Sequence, residues 1–252
     1  MRYRAIIFDL FGTLVNSFTR REYDQVNAQM AAAVNAPYAE FWRLMGETYS
    51  DFCLGRYSSY EDLISEVCSC VGVQANMAQI TRAAAFHYEF IASAILPEPE
   101  VLETLDRLKK SNYRIGLISD CGPSVPFLFP QSPLARFIDV PVFSCEEQIK
   151  KPSSAIYQRT CQRMALEPHE CIYVGDGSSQ ELTGAAAVGM RPVLKRTDLS
   201  DVYDSHRPEV ESWQGLAVNE IMELCDMCIH SGFSCGVLTG EDALIRQSRK
   251  RL

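Results

Sequence analysis

The sequence lacks the features that would place it in a membrane or on nucleic acid. It has no continuous apolar run near the roughly 20 residues that a membrane-spanning helix needs, and residues 1–4 lead into a predicted strand rather than an export signal. Basic residues are in the minority, with 24 Lys and Arg against 32 Asp and Glu and a formal net charge of −8. Outside the tail at 246–251, no basic block offers a surface for nucleic acid or anionic lipid. We therefore expect a cytoplasmic protein with neither partner.

A dense disulfide pattern is also missing, although the chain has ten cysteines. They are spread along 252 residues without an export signal, which favours reduced thiols. One spacing, Cys225-x2-Cys228-x-His230-x4-Cys235, offers four ligands of the kind that structural zinc uses. Cys225 and Cys228 also lie three residues apart in an apolar helical pattern, so burial as small hydrophobic residues is favoured and zinc stays the alternative.

Strand-like and helix-like segments alternate along most of the chain, which is typical of a parallel sheet with helices on both faces. An apolar fraction of 47% is enough for a full core. We predict an α/β fold with a doubly wound, Rossmann-like parallel sheet. The predicted strands are 5–8, 114–118, 140–143, 171–174, 191–194 and, more weakly, 216–218.

One interval, residues 16–96, departs from this alternation because its pattern is almost entirely helical. Pro97-Glu98-Pro99 ends it. The interval follows the first strand directly, so we predict an inserted helical cap over the carboxyl edge of the sheet, where it would exclude water and contact substrate. The predicted division is a core domain at 1–15 and 97–228, a cap at 16–96 and a C-terminal extension at 229–252, to which no role is assigned.

A carboxylate stands at the end of the first predicted strand, in the run Ile6-Ile7-Phe8-Asp9-Leu10-Phe11-Gly12-Thr13-Leu14. Ligands of α/β sheets bind at the carboxyl ends of the strands. An Asp at that place can attack an electrophile and form a covalent ester or an aspartyl-phosphate. Asp9 is therefore the candidate nucleophile, and the Gly12-Thr13 turn is a candidate binding loop.

Two later segments offer groups that would bind an anion. Ser119 ends the apolar run Ile115-Gly116-Leu117-Ile118, and its hydroxyl could bind an oxygen on which negative charge develops. Asp120 follows it. Lys151 stands directly before Pro152 at a predicted helix start, and its ammonium is a group that could neutralise an anion.

A second pair of carboxylates follows the strand predicted at 171–174. Gly175-Asp176 ends this strand, and Glu181 comes five residues after Asp176. Mg²⁺ prefers hard oxygen ligands and keeps several waters. Carboxylates at the ends of two strands are a suitable donor set for that ion.

In this order, the four segments resemble the four motifs of the haloacid dehalogenase superfamily of hydrolases, over about residues 1–228. The resemblance implies an inserted helical cap of the C1 type and Mg²⁺ as the cofactor. The catalytic residues that it implies are Asp9, Ser119 and Lys151, with Asp120 beside them. The substrate-binding residues are Gly12, Thr13, Ser119, Asp120 and Lys151. The implied metal ligands are Asp9, the backbone carbonyl of Phe11, Asp176 and Glu181.

Phe11 departs from the family pattern, because phosphatases of this family usually have a second Asp there as general acid and base. Such a group contributes about 10² to 10⁴ in rate. Dehalogenases commonly have an aromatic residue there, but they lack the metal and the Gly-Asp that this chain keeps as Gly175-Asp176. The resemblance therefore favours a Mg²⁺-dependent phosphatase that forms an aspartyl-phosphate at Asp9 from a small phosphorylated metabolite. A metal-free 2-haloacid dehalogenase and a weakly active phosphometabolite-binding relative are the alternatives.

The missing acid leaves two hypotheses open. Either the substrate has a good leaving group, such as an acyl, aryl or nucleotidyl phosphate, or Asp120 supplies the proton. In the cap, Arg43 and Arg56 are candidates for binding an anionic part of the substrate. The sequence does not decide between a monomer and a homodimer.

Overall fold

The computed structural model describes residues 3–203, 205 and 207–230, without the side chains of Ile229 and His230. The predicted C-terminal extension therefore lies almost entirely outside the described residues. So does Cys235, one of the four proposed zinc ligands. None of the described helices is long and apolar enough to cross a membrane.

Six parallel strands form one sheet with the order β3-β2-β1-β4-β5-β6, which confirms the predicted α/β fold. Three strands are one residue longer than predicted, and the other three have the predicted bounds. The strands are β1 (Ala5–Phe8), β2 (Arg114–Ser119), β3 (Val140–Phe143), β4 (Cys171–Gly175), β5 (Arg191–Lys195) and β6 (Leu216–Val218).

A group of four helices follows β1, a fifth helix precedes β2, and shorter helices connect the later strands. The first group is α1 (Arg20–Ala33), α2 (Tyr38–Cys53), α3 (Tyr60–Val71) and α4 (Met77–Ala94), here called the helical module. The others are α5 (Pro99–Lys110), α6 (Ser124–Leu128), α7 (Ser144–Glu147), α8 (Ser154–Arg163), α9 (Glu181–Ala187), α10 (Pro208–Glu211) and α11 (Glu223–Cys225).

The central strand β1 is short and entirely apolar, and all four of its residues are buried. It pairs with β2 along one edge and with β4 along the other, so it lies in the interior of the parallel sheet. One hydrophobic cluster lies on each face, around Ile6 and Phe8 on one and around Ala5 and Ile7 on the other. Asp9 follows β1 at the carboxyl edge of the sheet, between the ends of its two neighbours.

The helical module has an apolar cluster of its own, which includes Phe41, Leu63 and Ile64. Side-chain oxygens at Thr19, Ser59 and Asn76 accept hydrogen bonds from the backbone at the starts of α1, α3 and α4, which fixes where these helices begin. The separate cluster supports the prediction of a cap. Its boundaries as a domain stay a prediction.

The helical module packs on the carboxyl edge of the sheet. Ser144 Oγ, after β3, donates to the Cys53 carbonyl at 2.7 Å, and Lys150 Nζ donates to Ser50 Oγ at 2.8 Å. The Phe52 ring lies so close to Gly122 that a Cβ there would be 1.8 Å from it, so only glycine fits. The module therefore covers the ends of the strands that carry the candidate nucleophile.

The nine described cysteines are free thiols. Cys225 and Cys228 are buried in the cluster around Ile6, and the Tyr113 hydroxyl donates to the Cys228 carbonyl at 2.9 Å. Both therefore pack as small hydrophobic residues. The zinc hypothesis depends on Cys235 and the His230 side chain, which lie outside the described residues.

Candidate active site

Asp9 is a buried carboxylate, with 4% of its surface exposed. Its backbone N–H donates to the Val174 carbonyl at 2.9 Å, which continues the pairing of β1 with β4. Oδ1 accepts from Lys151 Nζ at 2.6 Å, and Oδ2 has no hydrogen-bond partner among the described residues. Burial raises the pKa of Asp9 to about 6, although the Lys151 ammonium opposes the rise. The free oxygen leaves one edge of the carboxylate available to an electrophile or a cation.

Lys151 joins two of the predicted site residues. Its ammonium lies 2.6 Å from Asp9 Oδ1 and 2.6 Å from Glu181 Oε2, with 1% of the side chain exposed. Burial lowers the pKa of Lys151, but the carboxylates of Asp9, Glu181 and Asp120 outweigh burial, and the pKa lies well above its usual range. Lys151 is therefore a fixed positive charge beside the candidate nucleophile.

Asp120 lies against Lys151 through the backbone. Its Oδ1 accepts from the Lys151 N–H at 3.0 Å, so it helps to hold the loop that carries the lysine. Burial raises the pKa of Asp120, although the Lys151 ammonium opposes the rise. A carboxyl group with a raised pKa can retain a proton, which keeps the hypothesis of a substitute acid open.

Glu181, predicted as a metal ligand, has hydrogen bonds to both oxygens. Oε1 accepts from the Gly177 N–H at 3.0 Å, and Oε2 accepts from the Tyr173 hydroxyl at 2.8 Å as well as from Lys151. Burial raises the pKa of Glu181, and the Lys151 ammonium opposes the rise and favours the ionised form. Ser179 and Gln180 precede it with φ angles of 53° and 52°, a strained turn of the kind found at functional sites. The geometry makes Glu181 the anchor of Lys151.

Asp176 pairs with a residue that no motif indicated. Oδ1 accepts from the Ser178 N–H at 2.9 Å, and Oδ2 accepts from the Arg207 guanidinium at 3.1 Å. Both side chains are buried. The nearby Glu209 accepts from the N–H groups of Leu182 and Thr183 at 3.0 Å, which fastens this loop to the start of α9. Long-range docking, and not local sequence, brings Arg207 to the site.

The carboxylates fit a divalent cation. Asp9, Asp176 and Glu181 offer oxygens that lie within 4.8 Å of one another. Gly12, with a φ of 83°, passes so close that a Cβ there would be 2.2 Å from Asp176 Oδ2. Only glycine therefore lets this loop approach Asp176. Hard oxygens and the unpartnered Asp9 Oδ2 suit Mg²⁺, with Glu181 held in an outer position by its own hydrogen bonds.

Two buried hydroxyls complete the cluster. Thr13 Oγ1 and Ser119 Oγ have no hydrogen-bond partner among the described residues, and Thr13 is only 5% exposed and Ser119 only 1%. A buried polar atom without a partner costs about 1–3 kcal/mol. With Asp9 Oδ2 they are three such atoms in the loops at the carboxyl ends of β1 and β2. The two hydroxyls could donate to an anionic ligand bound there, whereas Asp9 Oδ2 would be satisfied by a cation or by a hydrogen-bond donor.

Phe11 has no proton to donate, and its ring packs against aromatic neighbours. Its ring centroid lies 4.6 Å from that of Phe18, which in turn lies 5.0 Å from that of Phe90. The side chain lines a cavity between the helical module and the sheet. Phe11 thus belongs to the wall of that cavity as well as to the nucleophile loop.

The two cap arginines predicted to bind substrate are engaged elsewhere. Arg43 pairs with Glu47 at 2.7 Å and Arg56 pairs with Asp51 at 2.9 Å, and more than half of each arginine side chain is exposed. Neither lines the cavity beside Phe11. The structure therefore does not bring them to the Asp9 cluster, and their role in substrate binding stays a prediction.

Comparison with protein families places this geometry in a known context. The family model described as haloacid dehalogenase-like hydrolase matches residues 3–189. The chain belongs to this family. The match includes Asp9, Ser119, Lys151, Asp176 and Glu181, and it ends before Arg207.

Curated relatives of this haloacid dehalogenase-like hydrolase include both phosphatases and dehalogenases. A glyceraldehyde 3-phosphate phosphatase of Methanocaldococcus jannaschii is 24% identical over 235 residues, covering 89% of this chain and 96% of that protein. An (S)-2-haloacid dehalogenase 4A of Burkholderia cepacia is 26% identical over 209 residues, covering 75% of this chain and 81% of that protein. The family makes the chain a hydrolase, and these identities do not choose between the two reactions.

Solved structures show the same fold. A 2-haloacid dehalogenase from Pseudomonas syringae pv. Tomato DC3000 aligns with a TM-score of 0.64 at 21% identity, covering 90% of this chain and 99% of that one. A HAD phosphatase from Thermococcus onnurineus aligns with a TM-score of 0.59 at 21% identity, covering 91% and 98%. At these identities the likeness is one of fold, and the chemistry must be argued from the site.

Proposed function

We propose that this hydrolase is a Mg²⁺-dependent phosphatase of a small phosphorylated metabolite and that it forms an aspartyl-phosphate at Asp9. The observation that carries the proposal is the pairing of Asp9 with a second strand-end carboxylate, Asp176, within reach of one cation. A dehalogenase reaction needs only the first carboxylate, because halide leaves without a metal or a proton. Two features favour phosphoryl chemistry: the second carboxylate, Asp176, and Gly12, which lets the nucleophile loop approach it.

In this mechanism Asp9 attacks phosphorus, the bond from phosphorus to the leaving oxygen breaks, and the electron pair departs with that oxygen. The Lys151 ammonium and the hydroxyls of Ser119 and Thr13 hold the phosphoryl oxygens. Asp9, the Phe11 carbonyl and Asp176 would hold Mg²⁺, which supplies charge neutralisation at the transferred group. Water then attacks the phosphorus of the aspartyl-phosphate, releasing inorganic phosphate and restoring the Asp9 carboxylate.

The first step differs from that of a typical phosphatase of the family because Phe11 cannot donate a proton. A leaving group that is stable as an anion needs no donor, whereas an alkoxide does. Asp120, which lines the cavity beside Phe11, is the alternative donor, and its raised pKa suits that role. We therefore expect Asp120→Asn to leave aryl and acyl phosphates nearly unaffected and to lower turnover of alkyl phosphates if Asp120 donates. An unchanged alkyl phosphate rate would eliminate Asp120 as the acid.

The decisive experiment measures phosphate release from a panel of aryl, acyl and alkyl phosphates with and without Mg²⁺. We expect Mg²⁺-dependent release by the wild-type protein and none by Asp9→Asn. Rapid quenching followed by mass spectrometry should detect a phosphoryl adduct on the peptide that contains Asp9. No release from any member of the panel would overturn the proposal.

A 2-haloacid dehalogenase is the second candidate, favoured by the aromatic ring of Phe11 beside the nucleophile. That reaction would place the ester intermediate on the same Asp9 and would need no metal. Halide release from 2-haloacids in the presence of a chelator distinguishes it from the phosphatase. If the protein shows neither activity, the remaining candidate is a phosphometabolite-binding protein. Mg²⁺-dependent binding of inorganic phosphate would detect that function.

A further inference from the structure

The cavity beside Phe11 is enclosed by aromatic side chains from both halves of the protein. The cavity is partly open to solvent, and its lining is mainly apolar. The helical module contributes most of its rings, and the core contributes the segment that follows Ser119. The residues used below are Phe11, Phe18, Phe52, Tyr60, His87 and Ser124.

Two buried polar atoms in this cavity have no hydrogen-bond partner among the described residues, namely His87 Nε2 and Ser124 Oγ. His87 is 5% exposed and Ser124 is 2% exposed. Burial without a partner is costly for such atoms, which indicates that a ligand or water supplies one. They lie on opposite halves of the protein, on α4 and on α6.

His87 is held as a neutral ring. It stacks on Tyr60 with 3.5 Å between centroids and 4° between planes, and the Phe52 ring lies edge-on at 6.4 Å. Burial lowers the pKa of His87 to about 3. The imidazole therefore offers a hydrogen bond without a charge, and its partner should be an uncharged polar group.

Charge also limits what the cavity accepts. Among the described residues that line it there is no Lys or Arg, and its one carboxylic acid is Asp120. A carboxylate or second phosphate on the leaving group would be buried there without a counter-charge, at considerable cost. A sugar would leave most of its hydroxyls against apolar carbon. A flat aromatic ring with one neutral polar substituent matches both the walls and the two polar atoms.

We propose that this cavity binds the leaving group of the substrate and that this group is a monocyclic phenol with a neutral hydrogen-bonding substituent, so that the substrate is an aryl phosphate monoester. The ring lies among Phe11, Phe18 and Phe52, and its substituent reaches His87 or Ser124. The inference rests on the proposed function at Asp9. It also accounts for Phe11, because the missing acid at position 11 and the aromatic cavity both favour an aryl phosphate. A phenolate leaves with the electron pair of the phosphorus–oxygen bond and takes its proton from water.

The first test compares kcat/KM for phenyl phosphate, 4-hydroxyphenyl phosphate, acetyl phosphate and glycerol phosphate. Acetyl phosphate has a good leaving group but no ring, so it separates leaving-group stability from recognition of the ring. We expect 4-hydroxyphenyl phosphate to exceed acetyl phosphate by about tenfold or more, as a filled apolar pocket with one hydrogen bond allows. A preference for acetyl phosphate over both aryl phosphates would overturn the proposal.

The second test measures binding without catalysis, using phenol and hydroquinone as probes in ligand-observed NMR. We expect wild-type protein to bind hydroquinone about 5- to 10-fold more tightly than phenol, the range expected of one hydrogen bond. His87→Phe keeps the stack on Tyr60 and should remove that difference, whereas His169→Phe at an exposed site should retain it. Ser124→Ala is a second and smaller change. It should weaken the binding of hydroquinone if the second hydroxyl of hydroquinone reaches Ser124.

The two tests separate failure of this inference from failure of the proposed function. If aromatic probes bind as expected but no phosphate is released from any substrate, the cavity assignment stands and the phosphatase proposal fails. If phosphate is released while neither probe binds and aryl phosphates have no advantage, the phosphatase stands and the cavity assignment fails. Equal effects of His87→Phe and His169→Phe on the preference for hydroquinone would also contradict the assignment.

Discussion

Arg207 Nη2 lies 3.1 Å from Asp176 Oδ2, and both side chains are buried. The same oxygen lies next to the Gly12 backbone, in the group of carboxylates that fits a divalent cation. The protein therefore places its own positive charge on a candidate metal ligand. Arg207 balances Asp176 when no metal is bound, and it opposes a metal by repulsion of like charges.

Arg207→Met should make the protein less stable without Mg²⁺ and more responsive to it. Removing one partner of a buried pair costs about 3–5 kcal/mol because the remaining charge is uncompensated. A cation bound at Asp176 would restore that balance, and binding to the folded state stabilises it. Differential scanning fluorimetry should therefore show a lower Tm for the variant and a larger rise of Tm with Mg²⁺.

Arg4→Met is the matched control, because Arg4 pairs with Glu170 at 3.0 Å with 62% of its side chain exposed. It should change neither the Tm nor its dependence on Mg²⁺ appreciably, since exposed pairs contribute little. A loss of stability in Arg207→Met that Mg²⁺ fails to reverse would contradict the assignment of Asp176 as a ligand.

Glu181→Gln should destabilise the protein and lower turnover together. Glu181 balances the charge of buried Lys151, and its two oxygens accept from three donors. A glutamine amide nitrogen would face donors instead of accepting from them, and the lysine would keep Asp9 as its main partner. We expect a loss of about 3–5 kcal/mol in the free energy of unfolding, typical of breaking a buried ion pair.

Urea denaturation measures this loss, and Glu47→Gln provides the control. Glu47 pairs with Arg43 on the surface, with 57% of its side chain exposed. Its substitution should leave the free energy of unfolding nearly unchanged. A small and equal effect of the two substitutions would show that Glu181 does not hold Lys151.

Much of the fold and part of the site could be predicted because their signals are local. Apolar runs bounded by turns predicted the strands, and Asp9 and Asp176 each end such a run. The contacts of Arg207 and His87 could not be predicted in this way, because residues distant in the chain make them. Arg207 lies 31 positions after Asp176 and is placed by the docking of its loop on α9. The role of Tyr173 was also missed, although a tyrosine in a buried aliphatic strand is a signal that its hydroxyl has a partner.

The buried imidazole of His87 should make stability depend on pH. Its pKa of about 3 in the folded protein lies below the ordinary value of 6.5, so the unfolded chain takes up the proton first as pH falls. The folded state therefore loses stability between pH 6.5 and pH 3. From pH 7 to pH 5 the wild-type protein should lose about 2 kcal/mol relative to His87→Phe. Urea denaturation at the two pH values measures the difference, and parallel profiles for the two proteins would contradict a neutral buried His87.

Restoring a carboxyl group at position 11 should broaden the range of leaving groups. Phe11→Asp places an acid two residues after the candidate nucleophile, where it can protonate an alkoxide. We expect kcat/KM for glycerol phosphate to rise about tenfold or more relative to phenyl phosphate, a part of the 10² to 10⁴ that a positioned acid contributes. Phe11→Asn is the matched control, because it removes the same ring from the cavity but cannot donate a proton to the leaving group. If the two variants change the ratio equally, the ring of Phe11 sets the preference through packing alone, and the missing acid is not what restricts this hydrolase.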